Sequence, residues 1–279
     1  MRTFFFMVWI LMGCSHQSDL MKKNVQNWHY QLQNYDNLST ESLSKPYLYV
    51  LDPDELGNRS EIVELANRKG IAIAYISIGE AESYRSYFKE LSKDLILYEN
   101  KNWKGNFKVK FWTEEWQKII FNQIRKIKEA GFKGIYLDIV DAFYEIKPVK
   151  KTALQMRDFL IKIHEFIDNE DFLIIQQNAP TLYTFIPEKE RDQYFNSLHG
   201  LSLEDCFFYG NKEMNNELNI QDYCIESIKV FKQRNKFILS VEYLDDKEKV
   251  KRFMLEAKEH SLLPLATDRE LKGKFFYRP

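Results

Sequence analysis

Eight polar residues stand where short apolar runs stop: Asp52, Glu80, Asp138, Asp141, Asn178, Glu204, Glu242 and Asp268. Seven of them are acids, and two carboxyl groups converging on one cleft can do a particular chemistry. One protonates a leaving oxygen while the other attacks carbon or activates water, the requirement of most glycoside hydrolases. Each acid alone also fits a plainer role, capping the next helix or joining an ion pair, and for Asp52, Glu80, Glu242 and Asp268 the two roles stand level. Asp138 differs because it directly follows Ile135-Tyr136-Leu137. A carboxylate drawn inward by such a run needs a partner or a purpose. Glu204 holds the matching place after Gly200-Leu201-Ser202-Leu203. Trp112, Tyr84 and Tyr209 offer ring faces to a sugar.

The elements that must position these residues follow from the pattern of the chain. Apolar runs at 28–33, 47–51, 72–78, 134–138, 172–177, 200–204, 237–242 and 262–266 predict eight strands, with helical patterns between them. Ile119, Ile120, Ile124 and Ile127, and Leu154, Phe159, Ile163 and Phe166, recur at spacings that form one helical face. Gly70 and Gly131 read as left-handed helix stops. The alternation predicts an α/β fold, a (β/α)8 TIM barrel, in which residues after the strands line the active mouth. Residues 85–110, with Trp103 and Gly105, read as a loop region near that mouth.

Composition bounds the rest. The 279 residues carry 44% apolar side chains and a formal net charge of -1, which suits one globular domain and gives no global field for nucleic acid. No HExxH, GxGxxG, Walker-type or GxSxG motif occurs, so no metal or other cofactor is expected. Arg2, the apolar run 4–12 and Leu11-Met12-Gly13-Cys14 resemble the signal and lipobox of a bacterial lipoprotein. This predicts a signal peptide at 1–13, a lipid-anchored Cys14, a tether at 14–25 and the barrel from 26 to 279, in an exported protein of the cell envelope. Cys206 and Cys224 are too few to form a disulfide framework and are expected as free buried thiols.

The strand-end segments together resemble glycoside hydrolase family 114, typified by endo-α-1,4-polygalactosaminidase. The likeness runs through Trp28-His29-Tyr30-Gln31-Leu32-Gln33, Ala74-Tyr75-Ile76-Ser77-Ile78-Gly79-Glu80-Ala81-Glu82 with Tyr84-Arg85, and Gly131-Phe132-Lys133-Gly134-Ile135-Tyr136-Leu137-Asp138 with Asp141. It continues through Leu203-Glu204 with Phe208-Tyr209, Val241-Glu242-Tyr243 and Thr267-Asp268-Arg269-Glu270-Leu271. The resemblance implies a barrel that cleaves α-1,4 linkages in a galactosamine-containing polymer, with Asp138 and Glu204 as the catalytic pair. In a retaining reaction Asp138 would be the nucleophile and Glu204 the general acid/base. Asp52, Glu80, Arg85, Trp112, Asp141, Asn178, Tyr209, Glu242 and Asp268 are the expected substrate contacts. Lys133 departs from the family, which usually has Asp at that place, and puts one contact in question. An acidic mouth would attract an ammonium-bearing polymer and repel an acidic one. The alternative is a catalytically inactive carbohydrate-binding lipoprotein on the same barrel.

Overall fold

The computed structural model describes residues 27–38, 47–169, 171–274 and 276. The expected signal peptide, Cys14 and the tether lie outside them. Strands β1 (Asn27–Gln31), β2 (Tyr47–Leu51), β3 (Ile71–Ser77), β4 (Glu80–Glu82), β5 (Ile96–Glu99), β6 (Asn106–Val109), β7 (Gly134–Asp138), β8 (Leu173–Gln177), β9 (Gly200–Glu204), β10 (Phe237–Tyr243) and β11 (Leu263–Thr267) follow in order. The helices are α1 (Pro53–Leu56), α2 (Ser60–Lys69), α3 (Glu114–Glu129), α4 (Val149–Ile167), α5 (Arg191–Asn196), α6 (Asp222–Gln233) and α7 (Lys247–Glu259).

Eight of the strands form one parallel sheet in the order β1-β2-β3-β7-β8-β9-β10-β11, a TIM-like barrel that is nearly closed. Each coincides with a predicted strand to within a few residues at either end, because strands buried on both faces read as continuous apolar runs. The pleat separates two layers. Trp28, Tyr30, Val50, Ile73, Tyr75, Tyr136, Ile175, Val241 and Tyr243 point into the barrel as one cluster. Residues of the other phase, such as Ile76, Leu137, Ile174 and Leu203, pack outward with helical Ile120, Ile124, Ile127, Phe159 and Ile163.

Among the described residues the backbone ladder does not run from β11 back to β1. Side chains and loop groups bridge that seam: Trp28 Nε1 donates to the Leu263 carbonyl at 3.0 Å, and the Leu32 amide donates to the Leu271 carbonyl at 3.0 Å.

Three expectations need correction. The region expected as a loop, 85–110, contributes two strands of an antiparallel sheet ordered β4-β6-β5. Its pieces are short and alternate polar with apolar, and Glu80 faces Lys108 across the register, so no apolar run announces them. Cys206 and Cys224 are joined in a disulfide, their Cα atoms 6.0 Å apart, where free thiols were expected. Gly131 does take the left-handed conformation, with φ +88°, but Gly70 has φ -171°, an extended backbone open to any residue. Gly70 still ends α2, its amide donating a hydrogen bond to the Ala66 carbonyl at 2.8 Å.

Candidate active site

Phase along the pleat decides which strand-end residues enter the mouth. Asp138 lies two residues beyond Tyr136, Gln177 two beyond Ile175, and Glu204 two beyond Ser202, which accepts the inward Tyr136 hydroxyl at 2.7 Å. All three therefore continue interior rows. Asp138 is half-buried. Its Oδ2 accepts the Tyr75 hydroxyl at 2.7 Å and its Oδ1 accepts the Ile139 amide at 2.7 Å. Glu204 Oε2 accepts Asn178 Nδ2 at 3.0 Å and Gln177 Nε2 at 3.3 Å. Its Oε1 accepts the Tyr243 hydroxyl and lies 3.9 Å from Arg269 Nη1. Asn178 also takes the Glu204 amide at 3.2 Å, so one side chain fixes both the backbone and the carboxylate of Glu204.

The turns that leave these strands are strained. Ile139 has φ +57°, Asn178 +56°, Ala179 +49° and Asp205 +53°, at the ends of β7, β8 and β9. Left-handed backbone is rare for side-chain residues and rarest for a β-branched one such as Ile139, and such conformations collect where function over-determines the chain. Gly79 makes the β7 turn possible from the neighbouring strand. A Cβ there would lie 2.2 Å from the Ile139 carbonyl oxygen. Gly79→Ala must push back the turn that carries Asp138, an overpacking effect of about 1–3 kcal/mol. We expect a lower melting temperature together with a loss of turnover, measured on the same purified protein.

Loss of hydration in the mouth pushes the Asp138 carboxyl up to about 8; the Tyr75 hydroxyl opposes the shift, and the charges of Glu204 and Asp141 add to it. Burial likewise pushes Asp141 up to about 6, with Lys108 opposing and Glu204 adding. Asp205 is raised by burial to about 6 and Glu242 by burial to about 8. The folded protein thus keeps protons on these four carboxyls that an unfolded chain releases near pH 4, and stability should fall as pH rises from about 4 to about 8, offset in part below about pH 6.5 by His199, which burial lowers to about 4. Urea midpoints measured across that window should decline, and Asp138→Asn should remove its share of the slope.

A model of the glycoside-hydrolase family GH114 matches residues 14–278. The chain belongs to that family. An uncharacterized protein of Methanocaldococcus jannaschii is 35% identical over 251 residues, 81% of this chain and 70% of that one. One of Thermotoga maritima is 31% identical over 270 residues, 88% of this chain and 81% of that one. Among solved structures, Aspergillus fumigatus Ega3 in complex with galactosamine superposes with a TM-score of 0.67 at 15% identity, covering 89% of this chain and 94% of that one. The glycoside hydrolase domain of Pseudomonas aeruginosa PelA does so with 0.68 at 14% identity, covering 88% and 96%. At these identities the two structures speak for the fold.

In this GH114 barrel the other expected site residues divide by what they touch. Asp52 and Arg85 are committed to each other: the guanidinium meets Asp52 at 2.6 and 2.8 Å, Asp54 at 2.9 Å and Glu82 at 2.8 Å. Asp52 also caps α1 by accepting the Asp54 amide at 2.9 Å. Glu80 is wholly buried, pairing with Lys108 at 2.9 Å and Asn100 at 2.8 Å. Glu242 lies out of phase with the interior rows and is wholly buried on the helix side, accepting the Phe207 and Phe208 amides at 2.7 and 3.1 Å. These four side chains support the walls of the mouth and do not line it. Asp268 accepts the Lys272 amide at 3.3 Å, and its other oxygen is buried without a hydrogen bond. Trp112 is half-buried, edge-on to Phe111. Tyr209 is exposed and Asp141 half-buried. Lys133 precedes β7, at the opposite end of that strand from Asp138, which removes the family departure from the mouth.

Sequence reasoning gave no role to Tyr75, Gln177, Tyr243, Asp205, Arg269 or Lys108. The first three sit in phase with interior residues, a signal available from alternation alone. Arg269 carried no such signal: it stacks over the Tyr243 ring at 3.9 Å and pairs with Asp205 at 2.7 Å from the loop after β11.

Proposed function

We propose that this glycoside hydrolase cleaves α-1,4 linkages in a galactosamine-containing polysaccharide, using Asp138 and Glu204 as its carboxyl pair. The observation that carries this reading is the pair itself: two inward carboxyl groups at the ends of β7 and β9, each held by a tyrosine hydroxyl from another wall. Burial pushes the carboxyl of Asp138, the residue expected to act as nucleophile, up to about 8, so it holds its proton at neutral pH. An ammonium brought beside Asp138 supplies the opposite charge that Glu204 and Asp141 do not, and favours its ionised form. A sugar amine is such a group. Binding of an amino sugar would then shift the proton from Asp138 to Glu204, leaving the Asp138 carboxylate to attack while Glu204 gives that proton to the leaving oxygen and afterwards takes one from water. The galactosamine held by the structurally similar Ega3 is consistent with this substrate class.

The test is release of reducing ends from a partly deacetylated α-1,4-galactosamine polymer, set beside a fully N-acetylated one. The deacetylated polymer should give the higher kcat/KM, and equal rates would remove the electrostatic argument. Saturable binding without new reducing ends would instead mark a carbohydrate-binding barrel. From the lipobox-like Leu11-Met12-Gly13-Cys14 we further propose that the enzyme is exported and tethered in the bacterial envelope through lipidated Cys14. Cys14→Ser should move the protein from the membrane fraction to the soluble one.

A further inference from the structure

Arg269 reaches Glu204 from the loop after β11, and its neighbours fix the guanidinium in place. The loop closes on itself: the Leu271 amide donates to the Asp268 carbonyl at 3.2 Å, and the Thr267 hydroxyl donates to the Lys274 carbonyl at 2.7 Å. The guanidinium is then held on three sides. Nε donates to the Glu213 carbonyl at 2.9 Å, Nη2 meets Asp205 Oδ2 at 2.7 Å, and the central carbon lies 3.9 Å from the centre of the Tyr243 ring. Asp205 itself is set by the left-handed turn that ends β9 and by its amide, which donates to the Val241 carbonyl at 3.2 Å.

Held in this way, the guanidinium presents Nη1 to Glu204. Nη1 lies 3.9 Å from Oε1, the same oxygen that accepts the Tyr243 hydroxyl, whereas Oε2 accepts the amides of Asn178 and Gln177. Charge and hydroxyl thus converge on one oxygen, and Arg269 stacks on the ring whose hydroxyl reaches it. A cation over a tyrosine polarises the ring and makes its hydroxyl a stronger donor. The Arg269 and Glu204 side chains are 27% and 22% exposed, so the charge acts where water screens it less than at the open surface.

We propose that Arg269 is a positioning residue for proton delivery by Glu204: anchored by Asp205 and stacked on Tyr243, it steadies the carboxylate that Glu204 becomes when its proton leaves. The inference rests on the carboxyl-pair reading above. In the step that it serves, the Asp138 carboxylate forms a bond to the anomeric carbon. The bond from that carbon to the leaving oxygen breaks with its electron pair on oxygen, and the oxygen takes the Glu204 proton. Negative charge therefore grows on Glu204 opposite Nη1, and a fixed cation aimed at developing charge lowers the barrier without having to reorganise. Asp205 balances the guanidinium beforehand, so Glu204 can still take up the proton that it must deliver.

The experiment separates this role from a structural one by the leaving group. A galactosamine oligomer needs its leaving oxygen protonated, whereas the same oligomer with a dinitrophenyl leaving group does not. Arg269→Gln should lower kcat/KM on the plain oligomer by about tenfold or more, a part of what a general acid supplies, and change it by less than about twofold on the dinitrophenyl oligomer. Arg269→Lys, which keeps a charge for Asp205, should recover part of the loss, and it carries the same comparison if Arg269→Gln does not fold. In a Glu204→Gln background, Arg269→Gln should cost almost nothing further, since no proton is left to deliver. Equal losses on both substrates, or full additivity with Glu204→Gln, overturn the positioning role alone. A Glu204→Gln variant that treats the two leaving groups alike overturns the carboxyl-pair reading and the positioning role with it.

Discussion

Asp138→Asn and Glu204→Gln are each expected to lower the release of reducing ends from a deacetylated galactosamine polymer by about a thousandfold or more, since each removes a group that must move a proton or form a bond. Both substitutions keep the shape of the side chain. Tyr75 can still donate to an amide oxygen at position 138, and Tyr243 to one at 204, so the mouth should stay assembled. Asp138→Asn also removes a carboxyl group raised by burial and by two acidic neighbours, so at pH 8 the variant should melt at a higher temperature than wild type while being inactive. That combination separates loss of chemistry from loss of fold. Azide added to Asp138→Gly should restore part of the turnover and yield a glycosyl azide, because the small anion can occupy the space of the nucleophile. The azide's configuration separates the roles: Asp138→Gly should yield the inverted β-glycosyl azide and Glu204→Gly the retained α-azide, and the opposite assignment would exchange the two roles and leave the pair intact.

The largest effect on stability is expected from Arg85→Met. Arg85 is buried, as are Asp52 and Glu82, and its guanidinium is the cation that contacts both. Removing one member of a buried ion cluster leaves uncompensated charge, an effect of about 3–5 kcal/mol. Urea unfolding should show that loss, and adding Asp52→Asn and Glu82→Gln should recover much of it, because the charges left stranded are then gone. Simple additivity of the three substitutions would mean that the cluster is not coupled. The consequence reaches the site through Tyr75, whose ring lies 5.7 Å from the Arg85 guanidinium and whose hydroxyl holds Asp138.

The barrel was legible because parallel strands covered on both faces must be apolar throughout, and their ends are then marked by the first polar residue. The same rule identified strand-end acids without telling which way they face. Glu204 and Glu242 end similar runs, yet one continues the interior row of Ser202 and the other stands opposite Val241 and Tyr243 in the pleat. Counting residues in twos from the interior aliphatics separates a carboxylate that meets solvent in the mouth from one that organises a loop from behind. Asp52 defeats even that rule. It has the inward phase of Leu48 and Val50, but a guanidinium from β4's far side claims it, and no local pattern reports a partner 33 positions away. The small sheet was hidden for a different reason: Glu80-Ala81-Glu82 and Asn106-Phe107-Lys108-Val109 bury only isolated apolar residues, Ala81 and Val109, between polar ones that pair across the strands, Glu80 with Lys108 among them, so no apolar run marks them. The disulfide was illegible because two cysteines leave the count too small to argue from.

The seam between β1 and β11 gives the barrel an uneven dynamic profile. Amide protons there are protected by single bonds such as that from Leu32 to Leu271, whereas those of β3 and β7 lie within a ladder with neighbours on both sides. Hydrogen exchange should therefore be fastest along the two terminal strands and slowest on the wall that carries Asp138. Arg269 sits in the loop that crosses this seam, with its guanidinium close to Glu204. Each transient opening would carry a positive charge away from one carboxylate while the other remained on the rigid wall, so the electrostatic balance of the pair would fluctuate from the Glu204 side.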